Sequence, residues 1–379
     1  MNDIEINKLT EDYKAITVKH DRQEQAKNRV TFLTEFGANV SMIVLAGPTG
    51  AGKSTLLHRF AESYLESKRS LMEADPSMIP LVHTVATASG HRAFDWKRLY
   101  SDGLRSMSDP FAASRLRKVN QREPASRYLD ETRSAALLRE QVETQFAIRK
   151  TQAWIIDEAQ HIVRGGKSGG PTDQLDVLKS VAQTAGVKLI LSGTYDLPDY
   201  MSSSGQLSRR SEIVSLDRYL FNDAADKSRF ANVANALLTH VPKLIVEPRV
   251  TNSAVLKLLY VGSVGCVGIC KDWIARAYAF ALQEDSLTLT LEHLKRARLT
   301  DQQLETIFDE LSSGEAKFSG GGEGDIDGDL ASLISGPKAP KPKPPIAGEA
   351  TPERANVPKR RPGHRNPARN PVGMEAAAA

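Results

Sequence analysis

Two adjacent carboxylates, and a lysine roughly a hundred residues upstream of them, carry the chemistry legible in this chain. Trp154-Ile155-Ile156-Asp157-Glu158 is an apolar run that ends in an acidic pair. Gly47-Pro48-Thr49-Gly50-Ala51-Gly52-Lys53-Ser54, followed by Thr55, fits the phosphate-loop pattern G-x-x-x-x-G-K-[ST] at every fixed position. In such a loop, glycines let backbone N–H groups turn inward around phosphate oxygens, and the following helix adds its positive end. Lys53 would reach the β- and γ-phosphates, and the Ser54 hydroxyl would ligate Mg²⁺. Asp157 would hold the same ion through its water shell, and Glu158 would orient or deprotonate the attacking water. Loop and acid pair together describe hydrolysis of ATP with Mg²⁺, rather than phosphoryl transfer to a small acceptor.

These groups need elements to place them. Val40–Leu45 reads as a buried strand leading into the loop, and Leu56, Leu57, Phe60 and Tyr64 recur at helical spacing after it. Further apolar runs at Ile79–Thr87, Ala153–Asp157, Val187–Ser192 and Glu212–Leu216 alternate with helical patterns. That alternation predicts an α/β fold, a parallel five-stranded sheet with helices on both faces. The strand between the loop and the acidic pair marks the branch of P-loop ATPases with an added catalytic glutamate, so an AAA+ architecture is expected. Four segments follow: a polar arm over 1–36, helical in part from Thr10 to Lys19 and from Asp21 to Phe36; a nucleotide-binding core over 37–220; a small α-helical lid without strands over 221–312; and a tail over 313–379.

Less specific landmarks lie on this frame. Val187–Leu191 ends in Ser192-Gly193-Thr194, where either hydroxyl could contact the γ-phosphate or simply end a strand. Arg209 or Arg210, ahead of the last core strand, could reach a neighbouring subunit's nucleotide as an arginine finger, or form a solvated basic turn. Lys271 opens a lid helix and reads equally as a cation closing on the nucleotide and as a surface lysine.

Composition sets the remaining bounds. The formal net charge of the 379 residues is only +4. Pro337 to Val372 holds nine Lys/Arg against two Glu, so the rest of the chain sums to about −3. Pro337 to Pro371 also carries ten of the nineteen prolines, after the glycine-rich stretch Ser319 to Gly324; such a segment buries too little apolar surface to fold alone. Cys266 and Cys270 read as buried thiols. A charged N-terminus and the lack of any run of about 20 apolar residues imply a cytoplasmic protein that does not span a membrane.

The stretches GPTGAGKST (47–55), WIIDEAQHI (154–162), VKLILSGTYDL (187–197), QLSRRSEIVSL (206–216) and VGCVGICKDWIARA (264–277) resemble the AAA+ regulators of DNA transposition of the TnsC/TniB/MuB type, TnsC above all. The resemblance spans about residues 35–285. It implies ATP-dependent self-assembly into rings or helical filaments around double-stranded DNA. It also implies partners: transposase subunits and a target-selection protein of the TniQ or TnsD kind. The family places DNA-facing groups after the second strand, where Arg92, Lys97 and Arg98 could neutralise phosphates without reading bases; a solvated helix face explains them as well. The same residues leave open a helicase-loader or initiator ATPase, or a P-loop scaffold that binds proteins rather than DNA.

Overall fold

In the computed structural model, residues 1–88, 90, 93–108, 134–164, 170–202 and 205–319 are described. Two helices come first, α1 (Asp3–Ala15) and α2 (Asp21–Phe36). The sheet is built from β1 (Met42–Ala46), β2 (Leu81–Val85), β3 (Ala153–Asp157), β4 (Lys188–Gly193) and β5 (Ser211–Ser215). Its order is β2-β3-β4-β1-β5, and every pairing is parallel. This is the α/β AAA+ P-loop fold, with the strand carrying the acidic pair separated from the phosphate-loop strand by β4.

Parallel strands covered on both faces should be apolar throughout, and all five residues of both β1 and β3 are buried. One face holds α2 and α3 (Lys53–Ser67), whose Val30, Leu33, Leu56, Leu57 and Phe60 pack on Ile43, Leu45 and Ile155. The opposite face holds α5 (Trp96–Ser108), α6 (Ala135–Ile148) and α8 (Pro171–Ala185), packed around Trp154 and Leu189. Short helices α7 (Gln160–Arg164), α9 (Asp196–Ser202) and α10 (Gly205–Ser208) complete this layer, and the short α4 (Arg69–Ala74) follows α3 and packs on it.

The segment expected as a lid holds α11 (Ala224–Thr239), α12 (Ser253–Ser263), α13 (Val267–Gln283), α14 (Leu291–Ala297) and α15 (Asp301–Ser319). It differs from the expected all-helical unit by one two-residue parallel pair, β6 (Ile245–Val246) with β7 (Thr288–Leu289). Helix α15 also runs past residue 312, and Gly314 lets it lie against the Tyr195 ring, within 2.2 Å of where a Cβ would sit.

The N-terminal arm is not a separate piece. Ile6 and Tyr13 of α1 are buried in the lid core beside Trp273 and Tyr278, and the Tyr13 hydroxyl donates to the Leu237 carbonyl at 3.1 Å. Residues 16–20 are not helical, where helix is expected as far as Lys19. Among the described residues no single helix is long and apolar enough to cross a membrane; the apolar pair α12 and α13 is bent by 112°. Cys266 and Cys270 are free, and burial pushes both thiols up to about 12.

Candidate nucleotide site

The C-terminal edge of the sheet gathers the candidate residues. β1 exits into the loop at Gly47, whose N–H donates to Gly193 at the tip of β4 at 3.3 Å. Gly50 and Gly52 have φ of +77° and +95°, which only glycine adopts without strain. Helix α3 starts at Lys53, so the orphan N–H groups of its first turn face the loop, the arrangement that binds phosphate. Thr49 and Ser54 are exposed, Thr55 is half-buried, and Pro48 and Ala51 are buried. The buried Lys53 donates to the Gly47 and Pro48 carbonyls at 2.8 and 2.9 Å. Burial lowers its pKa, while the nearby negative charges of Asp157 and Glu158 oppose that shift.

Asp157 ends β3 and is 5% exposed. Its carboxylate accepts from the Glu158 N–H at 2.9 Å, and Glu158 itself takes φ +56°. That backbone conformation is uncommon for a non-glycine residue and belongs with functional turns. The turn is fastened to β4 by the Ala159 N–H, which donates to the Ser192 carbonyl at 2.7 Å. Ser192 is fully buried, and the Oγ of Ser192 and the Oγ1 of Thr194 have no hydrogen-bond partner among the described residues. Thus Lys53, Ser54, Asp157, Glu158, Ser192 and Thr194 belong to one edge. One buried carboxylate with one exposed hydroxyl suits Mg²⁺, which keeps several waters and takes phosphate oxygens, rather than a metal needing a full protein cage. Among the described residues there is no group of three His, Cys, Asp or Glu placed to hold a metal.

Three expectations meet different outcomes. Lys271, at the start of α13, is engaged with α1. Its ammonium donates to the Lys14 and Ile16 carbonyls at 2.6 and 2.7 Å, closing the C-terminus of α1, where unpaired carbonyls attract cations. Arg209 and Arg210 are exposed at the N-terminal edge of β5. The Arg210 carbonyl accepts from Ser41 and Met42, six residues before Gly47, so these arginines stand roughly 20 Å along the sheet from their own phosphate loop. Lys97 is exposed on α5; Arg98 is half-buried with its Nε 3.9 Å from Asp102; Arg92 lies outside the described residues.

Two contacts were not anticipated. Gln23 on α2 donates to the Gly52 carbonyl at 3.3 Å and accepts from Arg59 at 2.9 Å, bracing the loop from behind. Gly268, at the start of α13, donates to the Gly50 carbonyl at 2.8 Å. Nothing local in the sequence marks Gln23; for the second contact the available signal is the pair of glycines, Gly265 and Gly268, at a helix start.

Residues 38–201 match the AAA domain family. This part of the chain is an AAA-type P-loop ATPase domain. No curated protein matches the sequence. Among solved structures, the chain is similar to the Aeropyrum pernix ORC1 protein in complex with DNA, with 15% identity, a TM-score of 0.49 and coverage of 74% of this chain and 65% of that one. It is similar also to Cdc6p from Pyrobaculum aerophilum (13% identity, TM-score 0.48, 74% and 68% covered). A third is the Thermotoga maritima RuvB Holliday junction branch migration motor (15% identity, TM-score 0.39, 73% and 68% covered). The fold assignment itself rests on the sheet order, the phosphate loop and the family match.

Proposed function

We propose that the chain hydrolyses ATP at a site completed by a neighbouring subunit, and that this cycle drives its assembly on double-stranded DNA as a regulator of transposition. One observation carries the first half. Lys53, Asp157, Glu158 and Ser192 belong to one edge of the sheet, while Arg209 and Arg210 sit at the other, roughly 20 Å away and beyond the span of an arginine side chain. If Arg209 or Arg210 stabilises charge on the transferred phosphate, it would do so in the site of another copy. Assembly and hydrolysis are then linked, since ATP bound between subunits favours the oligomer by mass action.

Within the site, Lys53 would leave its loop carbonyls for the phosphates, and Glu158 would orient or deprotonate the attacking water. Mg²⁺, held by Ser54 and Asp157, would neutralise phosphate charge. The second half rests on the five stretches that resemble TnsC-type regulators. That reading brings with it a bacterial cytoplasm, a ring or filament, transposase subunits and a target-selection protein of the TniQ or TnsD kind. Lys97, exposed on α5, with Arg98 and Arg92, would contribute phosphate contacts without base readout.

The test is sedimentation with duplex DNA of unrelated sequences. ATP, but not ADP, should pull the protein into the pellet on each of them. A protein that stays monomeric and ignores DNA with either nucleotide removes the transposition reading.

A further inference from the structure

We infer that Gln160 is a positioning residue for the general base Glu158, joining it to the tip of β4. This inference rests on the proposed ATP hydrolysis and names a residue for that same site.

Gln160 is 4% exposed, an unusual depth for an uncharged polar side chain unless its groups are paired. Its Nε2 donates to Glu158 Oε2. The amide can face the carboxylate only this way round, because an ionised carboxylate accepts and never donates. The other end, Oε1, lies over Gly193: a Cβ there would fall 2.7 Å from it. Only a residue without a side chain at position 193 leaves Gln160 this slot. Oε1 has no hydrogen-bond partner among the described residues, and neither do Ser192 Oγ and Thr194 Oγ1 on the same strand tip.

The backbone holds the same two segments together. Ala159 donates to Ser192, and Gly47 of the phosphate loop donates to Gly193. The Gln160 side chain therefore lies between the base and the strand tip that touches the phosphate loop. A hydrogen bond from a fixed amide removes rotameric freedom from one carboxylate oxygen and leaves the other, Oε1 of Glu158, to engage water. Fixing a reacting group in this way raises kcat by pre-orientation rather than by tighter ATP binding.

The experiment compares full-length wild type with Gln160→Met and Gln160→Glu. Both variants fill the slot and neither donates a hydrogen bond when ionised or apolar. Steady-state phosphate release gives kcat and KM, titration with a fluorescent ATP analogue gives affinity, and thermal melting reports folding. Expected is a loss in kcat of about tenfold or more in both variants, the scale of a lost charge-assisted hydrogen bond, with KM and analogue affinity within about twofold of wild type. If Gln160→Met melts early, Gln160→Leu, which is apolar and cannot donate in any protonation state, decides. A kcat within about twofold of wild type in a folded apolar variant overturns the inference while leaving hydrolysis intact. Glu158→Gln is run alongside: a variant that still hydrolyses at the wild-type rate would instead remove Glu158 as base, a distinguishable failure.

Discussion

The Gly268 N–H at the head of α13 donates to the Gly50 carbonyl at the apex of the phosphate loop, 2.8 Å away. Lid and loop thus touch through main chain, with the Ile269 side chain beside it, and the contact is close. A Cβ at Gly268 would lie 2.3 Å from the Gly50 oxygen, and one at Gly50 would lie 2.7 Å from Ile269 Cγ1. Neither neighbour is the far end of a long, pliant side chain. Gly268→Ala must move the lid helix or the loop, and overpacking of this kind costs about 1–3 kcal/mol. ATP affinity should fall by roughly five- to a hundredfold, while lid packing around Trp273 persists. Titration with a fluorescent ATP analogue measures this. Unchanged affinity would show that the loop binds nucleotide independently of the lid.

Glu158 and Lys53 divide the work of the site, so their variants should separate. Glu158→Gln keeps shape and hydrogen bonding but removes the base. It should bind ATP like wild type and lose about a hundredfold or more in kcat. Lys53→Ala removes the cation that faces the phosphates, and binding itself should weaken at least about tenfold. In sedimentation with duplex DNA, the first variant accumulates in the ATP-bound assembly and the second stays in solution. Identical behaviour of the two would contradict the roles assigned here.

Much of this site was readable in advance because its parts are local. A strand, a glycine turn and a helix follow one another in sequence, and the apolar runs of β1 and β3 admit no amphipathic alternative. Boundaries moved little: β2 spans Leu81–Val85 inside the expected 79–87. What escaped depends on distant partners. In α1 only Ile6, Thr10 and Tyr13 are buried, with Leu9 packed beside them, so its mean character is polar and reads as an arm, although its face belongs to the lid. Lys271 and Gly268 stand three residues apart at one helix start, and sequence alone does not say which of them meets the loop. Gln23 and Gln160 are ordinary polar residues until Gly52 and Glu158 are placed beside them.

Acid should loosen the junction between α1 and α2. His20 is buried there with Nδ1 3.0 Å from the Tyr219 hydroxyl, facing Arg59 and Arg22 as well as Asp21 and Glu24. Burial, helped by Arg59, lowers its pKa from 6.5 to about 4. The unfolded chain therefore takes up a proton first as pH falls. Stability from neutral His20 is fully present above the unfolded value of 6.5 and is lost progressively down to the folded value of about 4. The slope over that window is about 1.4 kcal/mol per pH unit for one such group. Urea melts across the window should show this slope reduced in His20→Gln. An equal slope in both proteins would assign the acid sensitivity elsewhere.

The position of Arg209 and Arg210 makes a prediction best tested with two variants mixed. If they complete a neighbour's site, an Arg209→Ala/Arg210→Ala protein still binds ATP but meets no finger, because every neighbour lacks it too. A Lys53→Ala protein keeps both arginines but binds ATP poorly. Each should be nearly inactive alone, the first by about 10³-fold or more if its arginine acts as fingers do in related phosphoryl transfer. Mixed, they form interfaces in which a competent phosphate loop from one variant faces intact arginines from the other. Phosphate release by the mixture should then rise clearly above the sum of the two separate proteins, and should depend on total concentration because the interface must form. Wild-type turnover in the double arginine variant would dismiss the finger altogether. A mixture no more active than its parts would place the arginines outside the neighbour's reach and leave the roughly 20 Å gap along β5 without a catalytic purpose.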